Sequence, residues 1–321
     1  MSDIIHRLPG EHPADLATFA LARMDAGARV ALVTIVDFVG SSSRSLGAHM
    51  AVSEDGAYMG SVSSGCFDAN VVAFAMRAIE TGRAARVKFG EGSPYVDVKL
   101  PCGGGVDLLI TPQPSRDAIG AAVEALKARR ACGAVIGEGA GAFAFDDRPD
   151  LATGWRGDAF VNRYDPKLRV VAVGRGDELI SMARVACAAG FDVEALGPDK
   201  LDLAVCEESG AAVRHLGAID ADPGVAADPW TAIVLLFHDH EWEPTILNAA
   251  LETDAFYVGA LGSRRTHEAR LETLSAMGAD EAARARVRGP IGLVPSMRNT
   301  SMLAISTLAE IISTFNAERG R

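Results

Sequence analysis

The stretch Leu168-Arg-Val-Val-Ala-Val-Gly-Arg-Gly-Asp-Glu-Leu179 decides the fold. Five apolar positions, Leu168, Val170, Val171, Ala172 and Val173, run into Gly174 and Gly176, and a helix-like run, Ile180–Ala189, follows up to a stop at Gly190. Glycines at such a point let the backbone turn sharply and admit a ligand where a Cβ would otherwise stand. The helix then starts with unpaired amides and the positive end of its dipole facing the turn, a combination that favours an anion. A second strand, Phe191–Leu196, follows directly, so the segment opens a βαβ unit of a Rossmann-like sheet. The dinucleotide fingerprint is incomplete. Its third glycine falls on Leu179, and Gly197-Pro198 stands where an acid would hold a ribose hydroxyl, with Asp199 arriving later. Nucleotide or phosphate binding at Gly174 and Gly176 therefore stays open against a plain tight turn.

Further along, Thr231–Phe237 is a continuous apolar strand of the kind buried on both faces in a parallel sheet. It ends in His238-Asp239-His240, at the carboxyl end where ligands of open α/β sheets collect. We expect one of these residues to face the cleft, rather than a metal site made by both histidines. Pro244–Glu252 reads as a helix, Ala255–Gly259 as a strand, Ala260–His267 as a turn, Glu268–Met277 as a helix and Ser301–Asn316 as a closing amphipathic helix. Gly259, Gly262, Ser263, Arg264 and Arg265 combine amides, a hydroxyl and two guanidiniums in a second candidate phosphate cradle. The plainer reading is a helix cap with solvated arginines.

The first half alternates differently. Pro13–Ala26 has helical spacing, and Arg29–Val39 is a β-branched strand that leads into the polar loop Gly40–Gly47 with Arg44. His49–Gly60 is a hairpin through Asp55-Gly56, and Ala69–Thr81 a helix. Arg86–Phe89, Asp97–Leu100 and Val106–Thr111 read as strands, Ser115–Arg130 as a helix and Ala134–Ile136 as a strand. Gly137–Gly157, rich in Gly, Ala and Asp, reads together with Asp158–Asp165 mainly as the interdomain connection, with a short hairpin as the alternative. A boundary at Asp165-Pro166 gives domains 1–165 and 166–321. Cys66 follows Ser63 and Gly65 in a loop before a helix start, and Cys102 precedes Gly103-Gly-Gly105. A helix start with nearby positive charge raises a thiol's thiolate fraction, and glycines admit a close neighbour. For either cysteine alone the bland alternative is a small buried hydrophobe.

Composition sets the outer limits. The chain has 321 residues, 49% hydrophobic and 23% charged, which suits two ordinary domains. No run approaches the roughly 20 apolar residues of a membrane span, and no export signal opens the chain, so a cytoplasmic protein is expected. A net charge of −11 argues against broad binding to nucleic acid or anionic membranes. The 5 cysteines are odd in number, widely spaced and free of CxxC pairs, which points away from a disulfide framework or a zinc knuckle.

Taken together, Gly40, Arg44, Gly47-Ala48, Asp55-Gly56, Gly60-Ser-Val-Ser-Ser-Gly-Cys66, Pro101-Cys-Gly-Gly104, Val173-Gly-Arg-Gly176, His238-Asp-His240, Tyr257-Val-Gly-Ala-Leu-Gly-Ser-Arg-Arg-Thr-His267 and Pro290-Ile-Gly-Leu293 resemble the XdhC/CoxI family, the xanthine dehydrogenase accessory factors, across nearly the whole chain. The resemblance implies an α/β protein with an N-terminal mixed α/β XdhC/CoxI domain and a C-terminal Rossmann-like, doubly wound parallel sheet. It implies a non-catalytic chaperone that binds molybdenum cofactor, as molybdopterin or its cytidine dinucleotide form. Such a chaperone supports sulfuration of the cofactor with a cysteine-desulfurase-type sulfur donor and inserts it into the apo-enzyme of a xanthine dehydrogenase or aldehyde oxidase type molybdenum hydroxylase. It also implies a homodimer. Cys66 and Cys102 fall on the family's two glycine-associated cysteines, and Gly262-Ser-Arg-Arg265 on its Gly-Ser-Arg-Arg turn. The soft molybdenum end suits Cys66 and Cys102, and a phosphate suits Gly174–Gly176 or Gly262–Arg265; Arg44, Ser63, Gly103 and His238 complete the expected set. The chain departs from the family pattern at Gly174-Arg-Gly-Asp-Glu-Leu179, where a histidine and small residues are usual, and at Ser43 and Ser64. A reading from another class stands beside it, an oxidoreductase using NAD(P) on the C-terminal domain; a third is a diverged family member that binds another phosphorylated ligand.

Overall fold

The computed structural model describes residues 7–40, 42, 44–63, 65, 67–91, 93, 104–138, 142–219, 224–238 and 241–319. The expected strand Asp97–Leu100 lies outside them. The chain forms two compact units, 1–166 and 167–321.

In the first unit, β1 (Arg7–Leu8), α1 (Pro13–Asp25), β2 (Val30–Val39), β3 (His49–Ser53), β4 (Tyr58–Gly60), α2 (Asp68–Thr81), β5 (Ala85–Gly90), β6 (Gly105–Pro112) and α3 (Arg116–Lys127) precede the short strands β7 (Cys132–Ile136), β8 (Phe143–Asp146), β9 (Gly154–Arg156) and β10 (Ala159–Tyr164). Among the described residues β1 to β6 form one sheet in the order β1-β4-β3-β2-β6-β5. The central strand β2 explains its layers. Val30, Leu32 and Val36 pack into a core shared with α1 and α3, whereas Ala31, Val33 and Ile35 pack into one shared with α2. Alternate side chains of a strand point to opposite faces, so an apolar residue at nearly every position requires cover on both. The pairing of β2 with β6 shifts between Ile35 and Asp37, and the Val36 carbonyl at this bulge accepts the Trp155 indole N–H at 3.0 Å.

That contact corrects the expected interdomain connection. Residues 132–164 build an antiparallel sheet in the order β8-β7-β10-β9. Its Phe143, Phe160 and Tyr164 are buried in the same core as α1 and α3, so the segment is part of the first unit and not a linker. A polar network fastens it. Buried His49 shares a 2.9 Å hydrogen bond with Thr34 Oγ1 through Nδ1, and its Nε2 lies 2.5 Å from the Tyr164 hydroxyl and 2.8 Å from Asn162 Nδ2. Asn162 Nδ2 also donates to the Gly47 carbonyl at 2.7 Å, which ties down the end of the Arg44 loop.

The second unit runs β11 (Arg169–Gly174), α4 (Gly176–Ala188), β12 (Asp192–Gly197), α5 (Lys200–Glu208), β13 (Ala212–His215), β14 (Thr231–Leu236), α6 (Glu243–Leu251), β15 (Tyr257–Ala260), α7 (Arg264–Ala276), α8 (Glu281–Ala285), β16 (Val287–Arg288) and α9 (Thr300–Glu318). Its strands pair in parallel in the order β13-β12-β11-β14-β15-β16. This is the doubly wound Rossmann order, with the switch between β11 and β14. Val170 and Ala172 face α4 and α9, and Val171 and Val173 face α6, again by alternation of a doubly buried strand. Helix α7 starts at Arg264 rather than the expected Glu268. Ser263 caps it, with its hydroxyl accepting the Thr266 N–H at 3.1 Å, so the two arginines form the first turn.

Burial pushes His49 down to about 4. A depressed histidine is neutral in the folded chain while the unfolded chain already takes up a proton near pH 6.5, so acid favours unfolding. The stability of the first unit should fall by about 1.4 kcal/mol per pH unit between about pH 6.5 and 4 through this residue. In NMR titrations the His49 ring should still be neutral at pH 5.5; a midpoint near 6.5 would contradict the burial argument.

Candidate functional site

Three connections of the first unit meet one end of its sheet. Strand β2 runs toward Val39, which pairs with Gly105 at the start of β6, and β4 ends at Gly60, which pairs with Met50 near the start of β3. The loop that carries Arg44, the segment leaving Gly60 toward α2, and the chain entering β6 at Gly104 therefore share that end. Cys66, Cys102 and Gly103 lie outside the described residues, but their neighbours in sequence are at this edge.

Arg44 is held by a carboxylate that sequence reading did not single out. Its Nη1 and Nη2 donate to the two oxygens of Glu11, both at 2.6 Å, a fork geometry that fixes the guanidinium plane. These bonds hold the Glu11 carboxyl below its usual range and the guanidinium above its own; the Asp68 charge also favours the charged form of Arg44. The Arg44 Nε is buried without an acceptor among the described residues. Asp68, at the start of α2, is 3% exposed and is satisfied by hydroxyls: Ser61 donates to one oxygen at 2.7 Å and Ser63 to the other at 2.5 Å. Ser63 Oγ also accepts the Phe67 N–H at 3.0 Å. Its hydroxyl is thus committed to the start of α2, through Asp68 and the Phe67 amide.

At the carboxyl edge of the second sheet, Gly174 is required by neighbouring backbone. A Cβ there would stand 2.7 Å from the Leu236 carbonyl oxygen, and one on Gly197 would stand 2.6 Å from the Gly174 carbonyl oxygen. Gly176 adopts φ +71°, and its N–H donates to Asp202 Oδ2 at 2.6 Å. Asp199, the late acid of the fingerprint, caps α5 by accepting from Leu201 and Asp202 amides. His238 is exposed, with its Nε2 2.9 Å from Glu178 Oε1; Asp239 and His240 lie outside the described residues. Across β14, Gly262 (φ +145°) and Ser263 lead into α7, and Arg264 and Arg265 are exposed. Beneath this start Arg270 is buried in an ion pair with Glu243, Nη2 to Oε1 at 3.0 Å. Among the described residues no cluster of three His, Cys, Asp or Glu groups could hold a metal ion.

Residues 170–311 match the XdhC Rossmann domain and residues 24–90 the XdhC and CoxI family. Over 295 residues the chain is 35% identical to the molybdenum cofactor insertion chaperone PaoD of Escherichia coli (strain K12), covering 92% of this chain and 86% of that protein. The chain belongs to the XdhC and CoxI family. It is also 24% identical over 168 residues to a probable xanthine dehydrogenase subunit of Bacillus subtilis (strain 168), covering 48% of this chain and 45% of that one. The crystal structure of a xanthine dehydrogenase from Bacillus halodurans shares the fold, with a TM-score of 0.77 at 20% identity over 95% of this chain and 96% of that chain. No helix among the described residues is long and apolar enough to cross a membrane.

Within this XdhC chain, Glu11, Asp68, Asp202 and Glu243 are the partners that pattern reading passed over. Each pairs with a group distant in sequence or buried by the fold, and only Asp68, two positions after Cys66, borders a stretch already singled out. Replacing Ser63 with alanine removes a donor to a buried carboxylate and an acceptor for the Phe67 amide. Ser63→Ala should lower stability by about 1–3 kcal/mol in urea unfolding; a change within about 0.3 kcal/mol would show that the Asp68 pocket does not depend on this hydroxyl.

Proposed function

We propose that the chain carries molybdenum cofactor as cargo and inserts it into the cofactor-free form of a molybdenum hydroxylase. The observation that supports this reading most is the 35% identity to PaoD, a protein named a molybdenum cofactor insertion chaperone, over 92% of the chain. Chemistry agrees with it. A molybdenum centre held by dithiolene sulfurs is soft and favours thiolates, and Cys66 and Cys102 are the thiols whose neighbouring residues share one end of the first sheet. The structural thiols contrast with them: Cys132 and Cys206 are buried, and burial pushes each up to about 11. Arg44, fixed by Glu11, and Ser63, fixed by Asp68, frame the same edge.

The finer parts of the proposal are that the bound cofactor exchanges an oxo for a sulfido ligand with sulfur from a cysteine-desulfurase-type donor, that the chain acts as a homodimer in the cytoplasm, and that it turns over no substrate itself. The cargo is molybdopterin or its cytidine dinucleotide form. An NAD(P)-dependent oxidoreductase is disfavoured at the β11–α4 turn. There the Gly176 amide that would meet a pyrophosphate is engaged by Asp202, and Asp177 and Glu178 occupy the first helical turn, where they repel a further anion.

The test is activation of a cofactor-free molybdenum hydroxylase by the anaerobically loaded protein. Loaded wild type should restore activity, and Cys66→Ala combined with Cys102→Ala should reduce restoration at least tenfold with the fold unchanged by circular dichroism. Full restoration by the double variant would remove the thiols from the mechanism, and no restoration by loaded wild type would remove insertion.

A further inference from the structure

The two glycine turns at the carboxyl edge of the second sheet differ in the charge they present, and only one of them suits an anion. At β11–α4 the turn is self-ligated: Asp202 takes the Gly176 amide at 2.6 Å, and Asp177 and Glu178 lie in the first turn of the helix. At β15–α7 the first turn carries no acid and instead holds Arg264 and Arg265. Cations at a helix N-terminus oppose the dipole, an arrangement that becomes favourable when an anion sits on the same amides. No acceptor for the Arg264 or Arg265 amide occurs among the described residues.

Arg270 lies beneath the start of α7. Arg270 is 5% exposed, and its side chain reaches back toward the start of its own helix, as long side chains on helices do. Nη2 donates to the Leu261 carbonyl at 2.7 Å, and Nε and Nη2 both bind Glu243, but Nη1 is buried with no acceptor among the described residues. The guanidinium lies between two glycines. Nη2 is 3.4 Å from where a Cβ on Gly262 would stand, and Nη1 is 3.2 Å from the corresponding point on Gly289. Gly262 precedes α7 with φ +145°, and a side chain there would also meet Thr266 Cγ2 at 2.9 Å. The Glu243 carboxylate offsets the charge of Arg270, and what the residue leaves uncommitted is Nη1, which lies against Gly289 at the end of the strand beside the turn. A buried donor in that state is where an acceptor from a ligand is worth most.

We propose that the Rossmann unit binds a phosphate or diphosphate group on the β15–α7 turn, on the Arg264 and Arg265 amides and guanidiniums with Arg270 beneath, and not at the glycine turn after β11. The site is a property of this unit and stands independently of the cofactor-carrier reading. A nucleoside diphosphate and a phosphate ester without a nucleoside present the same group to it.

Calorimetric titration of the full chain with inorganic pyrophosphate at low ionic strength tests the assignment. Wild type should bind about one pyrophosphate per chain, and Arg264→Gln with Arg265→Gln should weaken binding at least tenfold. Arg175→Gln, at the other turn, should leave it within about twofold. Absence of binding to wild type, or loss in Arg175→Gln with retention in the double variant, would overturn the proposal. Competition by cytidine diphosphate would identify a nucleotide as the source, and pyrophosphate binding without such competition a simpler phosphate ester; both depend on the β15–α7 site.

Discussion

Three parallel strands approach one another at the carboxyl end of β11 because neither Gly174 nor Gly197 has a side chain. The Leu236 carbonyl comes within 2.7 Å of where a Cβ on Gly174 would lie, and the Gly174 carbonyl within 2.6 Å of the same point on Gly197. Any larger residue would push β14 or β12 away and break the in-register pairing that runs from Arg169 opposite Thr231 to Gly174 opposite Leu236. The helices on both faces depend on that flush edge, since Val170 to Val173 alternate between two cores that close only if the strands stay level. A glycine motif usually taken as room for a ligand is here first a condition for building the sheet. The space that remains at the turn is taken by the chain's own carboxylate, Asp202.

The first unit solves a different problem, that of holding loops. Polar side chains are buried there in places where each fixes a connection: Asp68 receives the Ser61 and Ser63 hydroxyls, and Asn162 links His49 to the Gly47 carbonyl. Glu11 grips Arg44 with both oxygens. Such groups are tolerated in a core only when their hydrogen bonds are made, and once made they orient the backbone more sharply than apolar contacts do. The proposed carrier role draws on these fixed connections, since Ser61, Ser63 and Asp68 flank the segment that bears Cys66 in the sequence.

Much of this was legible in the sequence, for identifiable reasons. Strands buried on both faces, such as Val30–Val39 and Thr231–Leu236, announce themselves as apolar runs, and a glycine such as Gly190 after α4 marks a helix end. Of the small sheet β8-β7-β10-β9, the sequence showed only the strand Ala134–Ile136 and an alternative hairpin, because its strands are three to six residues long and are set among Gly, Ala and Asp; its stability comes from Phe143, Phe160 and Tyr164 packing on a distant core. The start of α7 was placed four residues late because the arginines read as part of a turn, while the plainer reading at this point, a helix cap with solvated arginines, is what Ser263 makes. At the site, residue types were readable and pairings were not. Asp202 contacts Gly176 across 26 positions, and Arg270 contacts Glu243 across 27, separations that only the fold closes.

The central claim is that this chain carries molybdenum cofactor and is not a nicotinamide enzyme. The most direct measurement is anaerobic loading of the purified protein followed by molybdenum analysis and pterin fluorescence, with NAD and NADP titrated in parallel. A carrier retains about one cofactor per chain and binds no nicotinamide. Nicotinamide binding without cofactor retention would contradict that role.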